Sequence, residues 1–538
     1  MRKGGNNYED DLYEDDYYDD EEDYNEEDDY YEEEELAYKT KNKSKNKTPV
    51  NIKAQKVTTT TNKQPPQPKP EINQPPKKTT TESKDSKTKT DLNSIKYPKI
   101  SYKINNKKNE RNDINIVIIG HVDSGKSTLM GHLLYLLGEI DKKSLQNTSK
   151  AFKKTGTNQL HFAWATDEGT DERERGVTID VAYKTFKTKN KNVTAMDAPG
   201  HRDFIPNMIT GTAAADAAIL VIDSGKQAFD AGFFNKGQTK EHAILAKTLG
   251  VKEIIVVVNK LELYNWSKDR FEYIKNQIEP FLINLGFDEN KIYFIPISGL
   301  TGDNLIKPME DHAHWYEGKC LLDQIDALEN PINSEDAPVR FHINDMVSGS
   351  VNGNQGLVIY GKLITGVLAE KTEYLILPNN IKIKIKTMSV NKEKVDFVIA
   401  GQHADLLLNL DKNSNEEINQ GSILCSCEYP IPLVDKIKVE IKTLDIKTPI
   451  NLGQKMFLHL LGEKVICKIK KIEKIFNEDN STVKKNTIFI PKNFYADCII
   501  DLENKICCEL YNNIKELGRI TLRAEGETVA VGFITQFV

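Results

Sequence analysis

The 538-residue sequence predicts an α/β domain built on a doubly wound, mostly parallel sheet, followed by two antiparallel β-barrels. Three observations predict it. Between residues 113 and 300, short apolar runs alternate with helical stretches, the pattern of a parallel sheet with crossover helices. After about residue 335, strands of period two separated by Gly-containing turns take over and helix signals nearly vanish. Before residue 110 the chain is segregated by charge and poor in aliphatics, so it has no core of its own.

Residues 1–35 carry 19 Asp or Glu and 2 basic residues, a net charge of −17. Like charges repel, and few aliphatics remain to bury. This Tyr-rich segment is either a solvated tail or a docking segment for a basic partner. Residues 36–110 carry 19 Lys and 5 acids, net +14, with clustered Pro and Thr. Pro blocks helix and sheet ladders, which predicts an extended linker. Its lysines either solubilise it or touch RNA phosphates. The remainder, 111–538, is left with −4, so overall charge says little about what the body binds. No apolar run reaches about 18 residues, so no membrane span is expected. The N-terminus does not resemble a secretory or mitochondrial leader. Seven Cys without C-x-x-C pairing read as reduced, mostly buried thiols of a cytosolic protein. Cys425 and Cys427 form a C-x-C that could be half a metal site, but no His or Cys pair stands at a matching distance.

"INIVIIG" reads as the first strand, and "STLMGHLLYLLGEI" as a helix with Leu129, Leu133, Leu136 and Leu137 at helical spacing. "NVTAMD", "AAILVID", "EIIVVVN" and "IYFIPIS" are further strands, and "QTKEHAILAKTLG" is a helix between them. "IKIKIKTMSV", "KVEIKTL" and "KVICKIKKI" are barrel strands, with a seam near residue 430 at "CEYPIPLVDK". The expected division is a tail (1–35), a linker (36–110), a nucleotide domain (111–330) and two barrels (331–430 and 431–538).

In such a sheet, ligands sit at the carboxyl ends of the strands. "GHVDSGKST" follows the first strand and opens a helix, fitting G-x-x-x-x-G-K-[ST] over Gly120, His121, Val122, Asp123, Ser124, Gly125, Lys126, Ser127 and Thr128. Glycines let the backbone wrap a phosphate, and amides of the loop and helix N-terminus point at the anion. Lys126 is placed to neutralise β- and γ-phosphate oxygens, and Ser127 to ligate Mg²⁺. A Gly-rich turn alone leaves the Lys-Ser pair unexplained.

"DAPGH" ends the next strand. Asp197 would hold Mg²⁺ through water, and the amide of Gly200 can approach a γ-phosphate. His201 stands where small switch GTPases place a water-positioning Gln, and would orient the attacking water. "DERERGVTID" supplies Thr178 to close on Mg²⁺ when the γ-phosphate is present, with Gly176 as hinge, an order–disorder switch. "NKLE" reads the base. Guanine offers N1–H and N2–H₂ as paired donors to Glu262, two residues after Asn259-Lys260, while the Lys260 stem lies along the ring. Adenine would leave the carboxylate unpaired. Ser298, Gly299 and Leu300 complete the pocket. The usual residue at 262 is Asp. Glu is one methylene longer, so guanine preference is expected to persist in weakened form.

These motifs, with "FAWATDEGTDERERGVTID", "DAPGHRDFIPNMITGTAAAD" and "GQTKEHAILAKTLGVKEIIVVVNK", resemble translational GTPases of the elongation factor 1-alpha group. The likeness covers about residues 111–538 and implies an α/β P-loop GTPase domain with two β-barrels, binding GTP or GDP with Mg²⁺. Pro206 stands where elongation factor 1-alpha typically has Lys. "SGLTGDNL", "WYEGKCLLDQID" and the acidic "NNYEDDLYEDD" resemble the HBS family of ribosome-rescue GTPases that partner Pelota. That resemblance implies a cytoplasmic protein, monomeric outside its complex, that binds neither membrane nor DNA. It would deliver a Pelota-like factor to a stalled ribosome, whose RNA triggers hydrolysis through His201. Val122 and Val177 would form a hydrophobic gate holding His201 back. Two other readings stand beside it: an aminoacyl-tRNA carrier or release factor 3-like termination GTPase, and an adaptor that binds GTP without hydrolysing it.

Overall fold

The computed structural model describes residues 93, 97–100, 111–140, 162, 178–234, 237–351, 353–409, 418–479 and 481–538. The α/β domain contains β1 (Asn112–Gly120), α1 (Lys126–Leu136), β2 (Ala182–Lys187), β3 (Lys191–Asp197), α2 (Ile205–Ala213), β4 (Ala217–Asp223) and α3 (Lys226–Phe233). It continues with α4 (Gln238–Leu249), β5 (Glu253–Asn259), α5 (Lys268–Asn284), β6 (Ile292–Pro296) and α6 (Leu321–Ala327). The strand order is β2-β3-β1-β4-β5-β6. All neighbours are parallel except β2, which pairs antiparallel with β3 at the edge.

β1, β4 and β5 are near-continuous apolar runs because both sheet faces are covered. Val117, Ile119, Leu220 and Val256 pack on one face under α2, α3, α4 and α5. Ile116, Ile118, Val221 and Val257 alternate to the other face, under α1 and α6. Register then gathers the polar strand ends. Ile118 lies opposite Asp197, Gly120 opposite Val221, and Asp223 opposite Asn259. Every motif residue that ends a strand therefore reaches the same edge.

Each barrel is a closed six-stranded antiparallel ring. In the first, the order is Glu373–Leu377, Ile423–Ser426, Arg340–Val351, Asn354–Thr365, His403–Asn409 and Ile381–Val390, which pairs back on Glu373–Leu377. In the second it is Lys455–Leu460, Arg519–Ala524, Glu527–Phe537, Leu433–Thr443, Tyr495–Cys507 and Glu463–Phe476, which pairs back on Lys455–Leu460. Period two decides what faces inward. Ile381, Ile383 and Ile385 are buried while Lys382, Lys384 and Lys386 are exposed. Val465, Cys467 and Ile469 are buried between exposed Lys464, Lys468 and Lys470. All seven cysteines are free thiols, and only Cys427 is exposed.

Both barrels bond to the α/β domain. Asn115 Nδ2 donates to Gly401 O at 2.9 Å, and Gln402 Nε2 donates to Asp113 Oδ2 at 2.8 Å. From the second barrel, Thr528 Oγ1 donates to Glu241 Oε1 at 2.9 Å. Glu527 pairs with Arg202 at 3.2 Å, immediately after His201.

Asn93 and residues 97–100, expected in the linker, add a clasp. Asn93 exchanges two hydrogen bonds with the Phe537 backbone, 2.9 and 2.7 Å. Tyr97 Oη donates to Glu509 Oε1 at 2.8 Å and accepts from Arg340 Nη2 at 3.1 Å. Arg340, in the first barrel, and Glu509, just past the Tyr495–Cys507 strand of the second, are both fully buried and pair at 2.8 Å. The Ile100 amide donates to Asp336 O.

Candidate nucleotide site

The loop after β1 turns through Asp123 (φ 57°) and Gly125 (φ 90°) before α1 begins at Lys126. Lys126 is 6% exposed, and its ammonium donates to His121 O at 2.8 Å, bracing the loop from within. Burial lowers its pKa to about 8, against the pull of Asp197 and Asp123. Asp197 is fully buried at the end of β3. Ser127 Oγ and Thr178 Oγ1 lie 3.0 Å apart. Ser127, Thr178 and Asp197 offer hard oxygen donors beside a cradle of backbone amides, the chemistry that suits Mg²⁺ next to phosphate. A Cβ on Gly200 would lie 2.3 Å from Lys126 Nζ, so any side chain there would displace the lysine end.

His201 points outward. Its side chain is 45% exposed, and Nδ1 accepts from the Asp203 amide at 3.3 Å, capping the short 3₁₀ turn Arg202–Phe204. Val122 is half-buried. Val177, Gly176 and the segment "DERERG" lie outside the described residues.

At the base end, Asn259 ties three elements together. Its Nδ2 donates to Ser124 O at 2.8 Å, and its Oδ1 accepts from the Gly299 amide at 2.8 Å. Lys260 takes a left-handed backbone (φ 62°), and its ammonium reaches Asp123 O and Asp223 Oδ2, both at 2.8 Å. Its stem thus spans the gap between the base loop and the phosphate loop. Glu262 faces Ser298. Burial pushes its carboxyl pKa up, opposed by its own backbone amide and the Ser298 hydroxyl. Its Oε2 is buried without a hydrogen-bond partner among the described residues. A buried acceptor without a partner calls for a donor, and a base that offers paired donors could supply it. Ser298 is fully buried, and Leu300 is exposed at the pocket rim.

Sequence reasoning missed several contributors. Asp223 holds Lys260 and also accepts from the Gly225 amide at 2.7 Å. Ser224 Oγ donates to Lys260 O at 2.8 Å. His242 on α4 accepts from the Gly120 amide through Nδ1 at 3.2 Å, which fixes its proton on Nε2. Burial, the Lys126 charge and His121 lower its pKa to about 3, so it stays neutral. The only sequence signal for His242 is its polarity on the buried face of an amphipathic helix.

A phosphate loop, an Asp-x-x-Gly strand end and an Asn-Lys turn gathered at one edge of a mostly parallel sheet define a P-loop GTPase. Residues 111–331 match the family described as the elongation factor Tu GTP binding domain, and 436–535 match the GTP-eEF1A C-terminal domain-like family. The chain is 37% identical to elongation factor 1-alpha of Desulfurococcus mucosus over 426 residues, covering 79% of this chain and 96% of that protein. It is 38% identical to Protein HBS1 of Drosophila melanogaster over 433 residues, covering 79% of this chain and 63% of that protein, less than two thirds of its length. The GTP-bound Ski7 GTPase-like domain of S. cerevisiae shares the fold, with TM-score 0.66 at 21% identity, over 79% of this chain and 98% of that one. The chain belongs to the elongation factor 1-alpha group of translational GTPases, proteins that bind GTP or GDP and hydrolyse GTP.

Proposed function

We propose that the GTP form of this protein carries a Pelota-like, tRNA-shaped factor to the empty A site of a stalled cytoplasmic ribosome and hydrolyses GTP on ribosome contact. The similarity to Protein HBS1 carries the branch assignment, supported by Pro206 in "RDFIPNM". The outward posture of His201 supports the trigger: a water-positioning group turned to solvent leaves intrinsic hydrolysis slow until ribosomal RNA presses it inward.

In this reading Gly120–Thr128 wrap the phosphates, with Lys126 on the β- and γ-oxygens. Ser127, Thr178 and, through water, Asp197 hold Mg²⁺, which would neutralise charge on the phosphates. The Gly200 amide senses the γ-phosphate, and Val122 with Val177 gates His201. Asn259, Lys260, Glu262 and the 298–300 turn read guanine. The nucleotide domain spans 111–330, the barrels at 331–430 and 431–538 supply partner contacts, and segments 1–35 and 36–110 form tail and linker.

The test is affinity purification on a non-hydrolysable GTP analogue. A co-purifying Pelota-like protein is expected. The near-equal identity to elongation factor 1-alpha favours a second reading, an aminoacyl-tRNA carrier. Recovery of aminoacyl-tRNA would replace the first reading with the second.

A further inference from the structure

His132 lies on α1, six residues after Lys126, and none of the nucleotide motifs includes it. Its Nδ1 is 2.8 Å from Gly299 O. A carbonyl oxygen only accepts, so Nδ1 carries the proton and donates. Gly299 is therefore held at both ends, since its amide donates to Asn259 Oδ1. The imidazole sits in a built slot. It is 6% exposed and stacks on Phe162 with ring centroids 4.1 Å apart and planes 9° apart. Gly302 (φ 89°) makes room on another side, where a Cβ would come within 2.8 Å of His132 Cε1.

These bonds close a circuit. Ser124 O in the phosphate loop accepts from Asn259, Asn259 accepts from Gly299, Gly299 accepts from His132, and His132 rides on the helix that begins with Lys126. The turn that faces the base is thereby set relative to the loop that holds the phosphates.

We infer that His132 is a positioning residue for base recognition, its Nδ1–H fixing the Ser298–Leu300 turn, whose Leu300 amide receives the six-position oxygen of guanine while the Ser298 and Gly299 amides already donate to Asp303 O and Asn259 Oδ1. The inference rests on the guanine reading proposed above and divides that reading between two devices. Glu262 answers N1–H and the 2-amino group, and it stands on its own turn, Leu261–Tyr264. The 298–300 turn answers O6, and His132 acts only there.

Four nucleotides separate the two devices. GTP carries both O6 and the 2-amino group, and ITP carries O6 alone. The triphosphate of 2-aminopurine riboside carries the amino group alone, and ATP carries neither. Their binding to the full chain is measured by competition against a fluorescent GDP derivative. His132→Phe keeps the stack on Phe162 and removes the donor. It should weaken GTP and ITP together by about tenfold, the scale of one lost hydrogen bond. The 2-aminopurine nucleotide and ATP should be unchanged. His132→Asn places an amide nitrogen where Nδ1 stood and should restore most of the loss. Equal weakening of all four nucleotides would show a merely structural role, and unchanged GTP and ITP binding would show none; either overturns the inference. If the parent chain binds ATP as tightly as GTP, the guanine reading itself falls and takes the inference with it.

Discussion

Tyr97 is expected to hold the two barrels together. Glu509 Oε1 receives three bonds: Arg340 Nε at 3.0 Å, Arg340 Nη2 at 2.8 Å and Tyr97 Oη at 2.8 Å. Burial pushes the Glu509 carboxyl pKa up, against the pull of the Arg340 charge and the Tyr97 and Arg340 hydrogen bonds. Glu509→Gln leaves the Arg340 guanidinium buried without a counter-charge, held by Val339 O, Tyr429 O, Tyr97 and the neutral amide oxygen. Breaking a buried pair from one side costs about 3–5 kcal/mol, and the retained amide oxygen places this change near about 3. Tyr97→Phe removes its bonds to Glu509 and Arg340, each to a charged group and worth about 1.5–3 kcal/mol. The lower end applies, because Tyr97 is half-buried and water can replace part of the loss. The assay is urea unfolding of the barrel transition, followed by circular dichroism. Truncations give the second arm. A chain starting at Thr88 should match the full chain, whereas one starting at Arg111 should lose at least as much as Tyr97→Phe. If Tyr97→Phe and the Arg111 start both stay within about 0.5 kcal/mol of the parent, the scale of an ordinary surface change, the clasp contributes nothing and the reasoning fails.

Further expectations concern the site and pH. His201→Ala should lower ribosome-stimulated phosphate release about 10²–10⁴-fold, the range for a lost group that handles the water proton, with GTP affinity intact. Stimulated release that survives the change would remove His201 from the mechanism. Gly200→Ala pushes a methyl against Lys126 Nζ, so the affinity for GTP should fall relative to that for GDP in a competition assay; an unchanged ratio contradicts this. Burial holds the imidazoles of His242, His403 and His459 at about 3 and that of His342 at about 4. Unfolded, they protonate near 6.5, so between those values the unfolded chain binds more protons. Stability should therefore fall as pH drops below 6.5, by about 1.4 kcal/mol per pH unit for each histidine. His459→Gln should reduce that slope by one proton in melts between pH 5 and 6.5; an unchanged slope refutes its burial as a neutral ring.

The sequence alone determined what is local. The phosphate loop, the Asp197–His201 strand end and the Asn259–Glu262 turn are short, so their residue types and spacing can be read from a few consecutive positions. Hydrophobic period likewise separated the doubly wound domain from the barrels, because buried parallel strands must be apolar on both faces and barrel strands on one. Tertiary structure decided what depends on partners distant in the chain. Arg340 meets Glu509, 169 residues on, and Tyr97 meets Glu509 across 412. His132 reaches Gly299 across 167 residues, and His242 reaches Gly120 across 122. Each is a polar side chain whose meaning comes from hydrogen bonds to residues distant in the chain. Such a bond forms only when sheet register and helix packing bring two atoms within about 3 Å, and no periodicity in the sequence encodes that distance.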